Sequence, residues 1–247
     1  FPLGHTLILP DGREYKFTLN DGTAEVAGNL YQSVASVADH NDTTADVARA
    51  IAATAISSTL GATAAAVDIY AEGVVHVNDV DGEGYSYRIR RAMTAGNAHA
   101  SAATSSVLTV NLEAGESVQV ALTTASNVSY TRNRYHQTTI HLGPPTALLT
   151  GVSPGVAAAS RFYWSQTKGY AAVLAEVGTL LAGLPVMAGI TTNGSISTYK
   201  RRVRAGGTTV AGVVPTTMVY VRLLDADGNT TDFLCATTVS TGVTFEA

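Results

Sequence analysis

Ser160-Arg-Phe-Tyr-Trp-Ser-Gln-Thr-Lys-Gly169-Tyr-Ala-Ala-Val-Leu-Ala-Glu-Val-Gly178-Thr-Leu-Leu-Ala-Gly183-Leu-Pro-Val-Met-Ala-Gly-Ile-Thr-Thr-Asn-Gly194 is the stretch that decides the fold. It holds the only tryptophan, Trp164, and Gly169, Gly178 and Gly183 cut its apolar runs into strand-sized pieces. Runs of that length bounded by glycine read as strands, here as a compact β-meander. Its aromatic and amide side chains suit packing against a neighbour better than work on a substrate.

Outward from this stretch the same pattern recurs. Tyr15, Phe17 and Leu19 alternate with Glu14, Lys16 and Thr18, and Tyr85, Tyr87 and Ile89 alternate with Ser86, Arg88 and Arg90. Successive side chains of a strand point to opposite sides of a sheet, so period-two alternation predicts half-buried strands. Val219, Val221 and Leu223 run into Asp225-Ala226-Asp227-Gly228, a strand entering a hairpin turn. Further turns are marked by Pro10-Asp11-Gly12, Asn20-Asp21-Gly22, Asp81-Gly82 and Gly206-Gly207. The expected fold is all-β, built of antiparallel sandwich or barrel units with at most one short helix. Ala45–Ala55 is the candidate for that helix. Thr43 followed by Asp46 resembles a capping box, and Val47 and Ile51 stand one turn apart. The same residues also suit a strand running on through Ile56 and Leu60. Gly143-Pro144-Pro145 marks the expected boundary between an N-terminal β domain, 1–142, and a C-terminal one, 143–247, because a double proline cannot continue a ladder.

Composition narrows the function classes. Charged residues make up 14% of the 247 positions, against about 25% in an ordinary soluble domain. A weakly polar surface of that kind is tolerable where partners cover much of it. The net charge of −4 argues against nucleic acid, and no apolar run is long enough for a membrane-spanning helix. One cysteine, Cys235, forms no internal disulfide framework and fits a chain made in a reducing cytoplasm. No signal segment opens the sequence, and the start at Phe1 instead of Met reads as a trimmed or processed product.

Catalytic patterns are weak. Gly151-Val152-Ser153-Pro154-Gly155 matches a nucleophile elbow, but the residue after its serine must offer a backbone N–H to an oxyanion and proline has none. Asn78–Glu83 and Asp225–Asn229 cluster oxygen ligands before glycine without the spacing of a calcium loop, and both read as turns. Glu113 and Glu116 flank Gly115 in a turn and make a poor carboxylate pair. His5, His40, His76, His99, His136 and His141 show no zinc spacing and read as surface or interface residues. No enzyme activity, cofactor or metal is expected.

Two features point to contact with a partner. Phe162, Tyr163, Trp164, Gln166 and Tyr170 are expected to form a subunit interface, since aromatics bury large rigid area at small entropic cost. Arg88, Arg90 and Arg91, with Lys200, Arg201, Arg202 and Arg204, concentrate positive charge in a chain with few lysines. Their forks suit carboxylates across an interface, or the charge keeps an edge strand soluble.

The order of Pro10-Asp-Gly-Arg-Glu-Tyr-Lys-Phe-Thr-Leu-Asn20, Tyr70–Arg90 with its Gly82-x-Gly84-Tyr85-x-Tyr87, and Arg161–Leu174 with Trp164-x-Gln166-x-x-Gly169 resembles the head-decoration, or cement, proteins of tailed bacteriophages. The likeness runs over most of Leu3 to Gly194. It implies a non-enzymatic virion protein, often a homotrimer, that sits on the outer capsid and braces the major capsid protein. A tail-fibre or spike receptor-binding module is the alternative, and a carbohydrate-active enzyme a more distant one.

Overall fold

The computed structural model describes residues 1–176, 185–198, 218–224 and 230–236. It is almost wholly β, as the alternation predicts. Among the described residues sixteen strands follow in chain order. They are β1 Thr6–Ile8, β2 Glu14–Leu19, β3 Leu30–Gln32, β4 Thr43–Thr44, β5 Ala55–Thr59, β6 Val74–Asp79, β7 Ser86–Arg88 and β8 Val107–Asn111. The rest are β9 Asn127–Thr131, β10 Thr139–Ile140, β11 Leu149–Val152, β12 Phe162–Lys168, β13 Val186–Ala188, β14 Ile196–Thr198, β15 Met218–Leu224 and β16 Thr230–Ala236. Among the described residues the only helical element is a 3₁₀ turn, Ala38–His40.

Phe1–Tyr199 form one compact unit and Lys200–Ala247 another. In the second, β15 and β16 pair antiparallel from Met218↔Ala236 to Leu224↔Thr230, the hairpin expected around Asp225–Gly228.

The first unit has a nested plan. A six-stranded sheet in the order β1-β2-β12-β11-β3-β10 takes its strands from both ends of the unit. Between β3 and β10 the chain builds a second layer pair, a four-stranded sheet β4-β9-β6-β7 and a two-stranded sheet β5-β8. The continuous hydrophobic core lies in this inserted part: Ile56, Leu108 and Val110 from the smaller sheet meet Val75, Val77, Tyr87, Val128 and Tyr130 from the larger. All but Ile56, whose neighbour Ser57 is buried too, alternate with exposed or half-buried residues, and the face they share is removed from water, the dominant favourable term in folding.

This plan moves the expected boundary. Strands from both sides of Gly143-Pro144-Pro145 pair in the same sheet, β3 lying between β10 and β11. The prolines do end a ladder, but only to form the loop that carries the chain across β3.

The region Ala45–Ala55 is not helical. Ala45 and Arg49 make isolated antiparallel bridges to Ser58 and Leu122. The Thr43 hydroxyl serves no helix cap: it donates to the Val128 carbonyl at 3.0 Å and shares a 2.7 Å hydrogen bond with Ser58. Val47 and Ile51, whose spacing suggests a helix face, stay exposed.

Four histidines expected at the surface are buried. His40, His99 and His141 are at most 1% exposed, and His136 9%. In the core His40 Nε2 donates to the Thr63 carbonyl at 2.9 Å, leaving Nδ1 to accept the Tyr70 hydroxyl at 2.5 Å. His99 Nδ1 donates to the Ala100 carbonyl and its Nε2 accepts the Tyr70 N–H. A neutral imidazole offers one donor and one acceptor, so both rings are satisfied without charge. Burial lowers the His99 pKa accordingly.

Glu25 is one of the groups left without this satisfaction. It is 2% exposed beneath the 153–158 turn, tied there by its N–H to the Ala157 carbonyl, and neither carboxylate oxygen has a hydrogen-bond partner among the described residues. Burial pushes its pKa up to about 7.

Candidate interaction face

Pairing of β2 with β12 sets Phe162 opposite Leu19, Trp164 opposite Phe17 and Gln166 opposite Tyr15. With period two, these side chains share one side of the sheet. There Phe17 stacks on Phe162 at 5.0 Å and meets Trp164 edge-on at 5.2 Å. Phe1 adds edge contacts to Phe17 and Trp164 and stacks on His5 at 4.9 Å. Such offset and edge geometries lock rings together beyond their burial. The cluster is nevertheless open: Phe1 is 67% and Phe162 57% exposed, and Phe17 and Trp164 are half-buried.

The opposite side of the same strands is closed. Tyr163, Thr18 and Ser165 are buried, Tyr163 edge-on to Tyr31 at 6.2 Å and sharing a 3.1 Å hydrogen bond with the Thr138 hydroxyl.

Of the five residues expected at an interface, three are therefore available. Phe162 and Trp164 stand on the open face, and Tyr170, 99% exposed, on the turn beyond β12. Tyr163 points the other way. Gln166 is 5% exposed and donates its Nε2 to the Lys168 and Tyr170 carbonyls, so it shapes that turn. Phe1, His5 and Phe17 belong to the cluster and are not legible as such in the sequence, because nothing local tells Phe17 that it faces Trp164.

Nor is β12 the start of a simple meander, since its partners β2 and β11 both precede it. The arginines divide. Arg88 is exposed on β7, and Arg90 is half-buried. Arg91 is already engaged: its Nε lies 3.2 Å from Glu72 Oε1, and Nη2 donates to the Phe1 carbonyl. Lys200, Arg201, Arg202 and Arg204 lie outside the described residues.

The catalytic patterns resolve into turns. Ser153 is buried and its hydroxyl donates to the Gly155 carbonyl at 2.7 Å. Asp81 Oδ2 accepts the Thr123 hydroxyl at 2.9 Å, and Asp79 Oδ1 accepts the Val80 N–H. Glu116 accepts the Arg88 N–H at 2.5 Å. Among the described residues no group of three His, Cys, Asp or Glu could hold a metal ion, and no helix is long and apolar enough to cross a membrane. No family profile, curated protein or solved structure matches the chain.

Proposed function

We propose that this chain is a non-enzymatic structural protein of a tailed-phage virion, a head-decoration protein that braces the major capsid protein from outside and binds it, or a sister subunit of a homotrimer, through the open aromatic face. The observation that carries this reading is the Phe1–Phe17–Phe162–Trp164 cluster. It leaves large rings half in water on a sheet whose other side is closed. Exposed apolar patches of that kind mark interaction sites, and Trp is among the residues that dominate binding energy. The resemblance of the three aromatic-glycine stretches supplies the partner and the outer-capsid location. Arg88 and Arg90 serve as rim charges, which govern encounter and register more than affinity.

Trp164→Ala tests it. Binding of the purified protein to DNA-filled heads lacking it should weaken at least tenfold, in the range of a hot-spot deletion. Circular dichroism should still report a folded β protein, since the ring is only half-buried. A folded variant that binds heads as tightly as the parent sinks the reading.

The alternative, a tail-fibre or spike receptor-binding module, gains from the same cluster, because that reading calls for an exposed aromatic patch. Sedimentation with detached tails instead of heads would favour it.

A further inference from the structure

Beside the aromatic face, where residues 1–3 dock onto the inserted layers, lies a cavity of about 290 Å³. One wall is apolar: the rings of Phe1 and Phe162, both more than half exposed. Glu72, Arg91, His136 and Gln137 bring polar groups to a lining that Leu3, Leu19, Val67, Ala71 and Ala92 help to complete.

The charged groups of this lining are already held by other groups of the protein. Glu72 accepts the Leu3 N–H at 2.6 Å and pairs with Arg91. Asp68, also in the lining, spends its carboxylate on the N–H groups of Gly96, Ala98 and His99. His136 is neutral at physiological pH, since burial lowers its pKa to about 4. Asp68 and Glu72 against Arg91 leave one net negative charge, both carboxylates are spent on protein donors and Arg91 is held by Glu72, so the cavity offers no free cationic group to an anion.

It has unused hydrogen-bonding capacity instead. The His136 ring makes no hydrogen bond among the described residues although the residue is nine-tenths buried, and its Nδ1 is an orphan. Gln137 uses its Oε1 only for a long 3.4 Å contact from Arg132, and its amide nitrogen has no acceptor among the described residues. Buried polar groups are normally paired, so the gap at His136 calls for an explanation, whereas the half-exposed Gln137 amide is simply open to the cavity side or to solvent.

From the two aromatic rings, the polar groups in the same lining and the absence of a free cationic group, we infer that this cavity binds one pyranose unit of a neutral saccharide. A sugar ring carries an apolar C–H face that packs on aromatic rings and a rim of hydroxyls that both donate and accept. Arg91 and the Gln137 amide supply donors, and Glu72 and the His136 ring supply acceptors. The volume stands at the lower end of small-molecule pockets, about 300 to 1,000 Å³, the size for one ring. The site stands whether or not the protein decorates a head, since of the residues that form the open face it shares only Phe1 and Phe162.

Saturation-transfer NMR with the methyl glycosides of glucose, galactose, mannose and N-acetylglucosamine tests this on the full chain. At least one should receive saturation on its ring protons, with a dissociation constant on the order of 1 mM, as suits a few hydrogen bonds and one stacking contact. Gln137→Ala should weaken that binding by about fivefold, one hydrogen bond's worth. Phe162→Ser should weaken it by about tenfold through loss of the apolar wall. Gln137→Ala, outside the open aromatic face, should leave binding to heads unchanged, which separates this site from the docking face. No transfer to any of the four glycosides overturns the inference, as does transfer that survives both Gln137→Ala and Phe162→Ser in variants that remain folded.

Discussion

Gly151→Ala should cost the fold about 3 to 5 kcal/mol, adding backbone strain to overpacking. Gly151 has φ of +137°, a conformation that side chains other than hydrogen resist. An added Cβ would also sit 2.5 Å from Ser165 Oγ and 2.6 Å from the Gln166 carbonyl oxygen. The second is backbone of β12, so relief requires the strand to move, and β12 carries Trp164 and Phe162. In thermal unfolding the midpoint should fall by roughly 10 °C, at 2 to 4 °C per kcal/mol for a unit of this size. Trp164 fluorescence should shift with it. Gly155→Ala in the same Gly-Val-Ser-Pro-Gly run is the control. No atom lies within 4 Å of its added Cβ, and a change within about 0.5 kcal/mol is expected. Equal midpoints for the two variants would show that the β11–β12 contact is looser than the structure draws it.

Glu25→Gln should stabilise the protein increasingly above about pH 4.5, and fully only above about 7. Burial is the main cause of the raised pKa, the nearby Asp21 adds to it, and the hydroxyls of Tyr31 and Tyr163 only partly offset it. The sign follows from proton binding. Below the ordinary carboxyl range, near 4.5, both folded and unfolded chains hold the proton and Glu25 costs nothing. Between about 4.5 and 7 the unfolded chain ionises first, so stability falls as pH rises. Above 7 the folded state carries a buried anion, and the loss levels off at about 3 kcal/mol, from 1.36 kcal/mol per pKa unit. Urea titrations of parent and variant should therefore coincide near pH 4 and differ by that amount at pH 8. Other carboxylates affect both chains alike, so the difference isolates Glu25. A gap of the same size at both pH values would mean that this carboxyl ionises as though in water.

Much of the fold is legible in the sequence because its causes are local. Alternation in Glu14–Leu19 and in Ser86–Ile89 gives the strands; in the second it also gives the face, with Tyr87 and Ile89 buried as expected, whereas in the first Thr18 is buried and Phe17 stays half open. Tyr85 stays 43% exposed because it leaves the Gly82–Gly84 turn before pairing begins. The Val219–Leu223 hairpin is likewise a local matter of strand, turn and strand. What escapes the sequence is long-range. Val47 and Ile51 sit at helical spacing, yet Arg49 finds its partner in Leu122, and a ladder contact from another part of the chain outweighs weak propensity. The histidines read as surface residues because their partners, Thr63 and Tyr70 for His40, come from other segments. The candidate face was half legible. Trp164 and Phe162 stand out by type, whereas Phe1, His5 and Phe17 acquire their role from pairing alone.

The nested plan also fixes an order of events in folding. The outer sheet joins partners 141 residues apart at Asn20 and Arg161 and 154 apart at Glu14 and Lys168. As open coil, so long a loop closes slowly, because closure entropy must be spent before any pairing rewards it. The inserted layers have their own core and join strands far closer in sequence, such as Val74 with Arg88 and Thr59 with Val107. Once they condense, β3 and β10 emerge as neighbours and the effective loop shrinks to a few residues. The aromatic face is thus assembled last, after the interior that supports it.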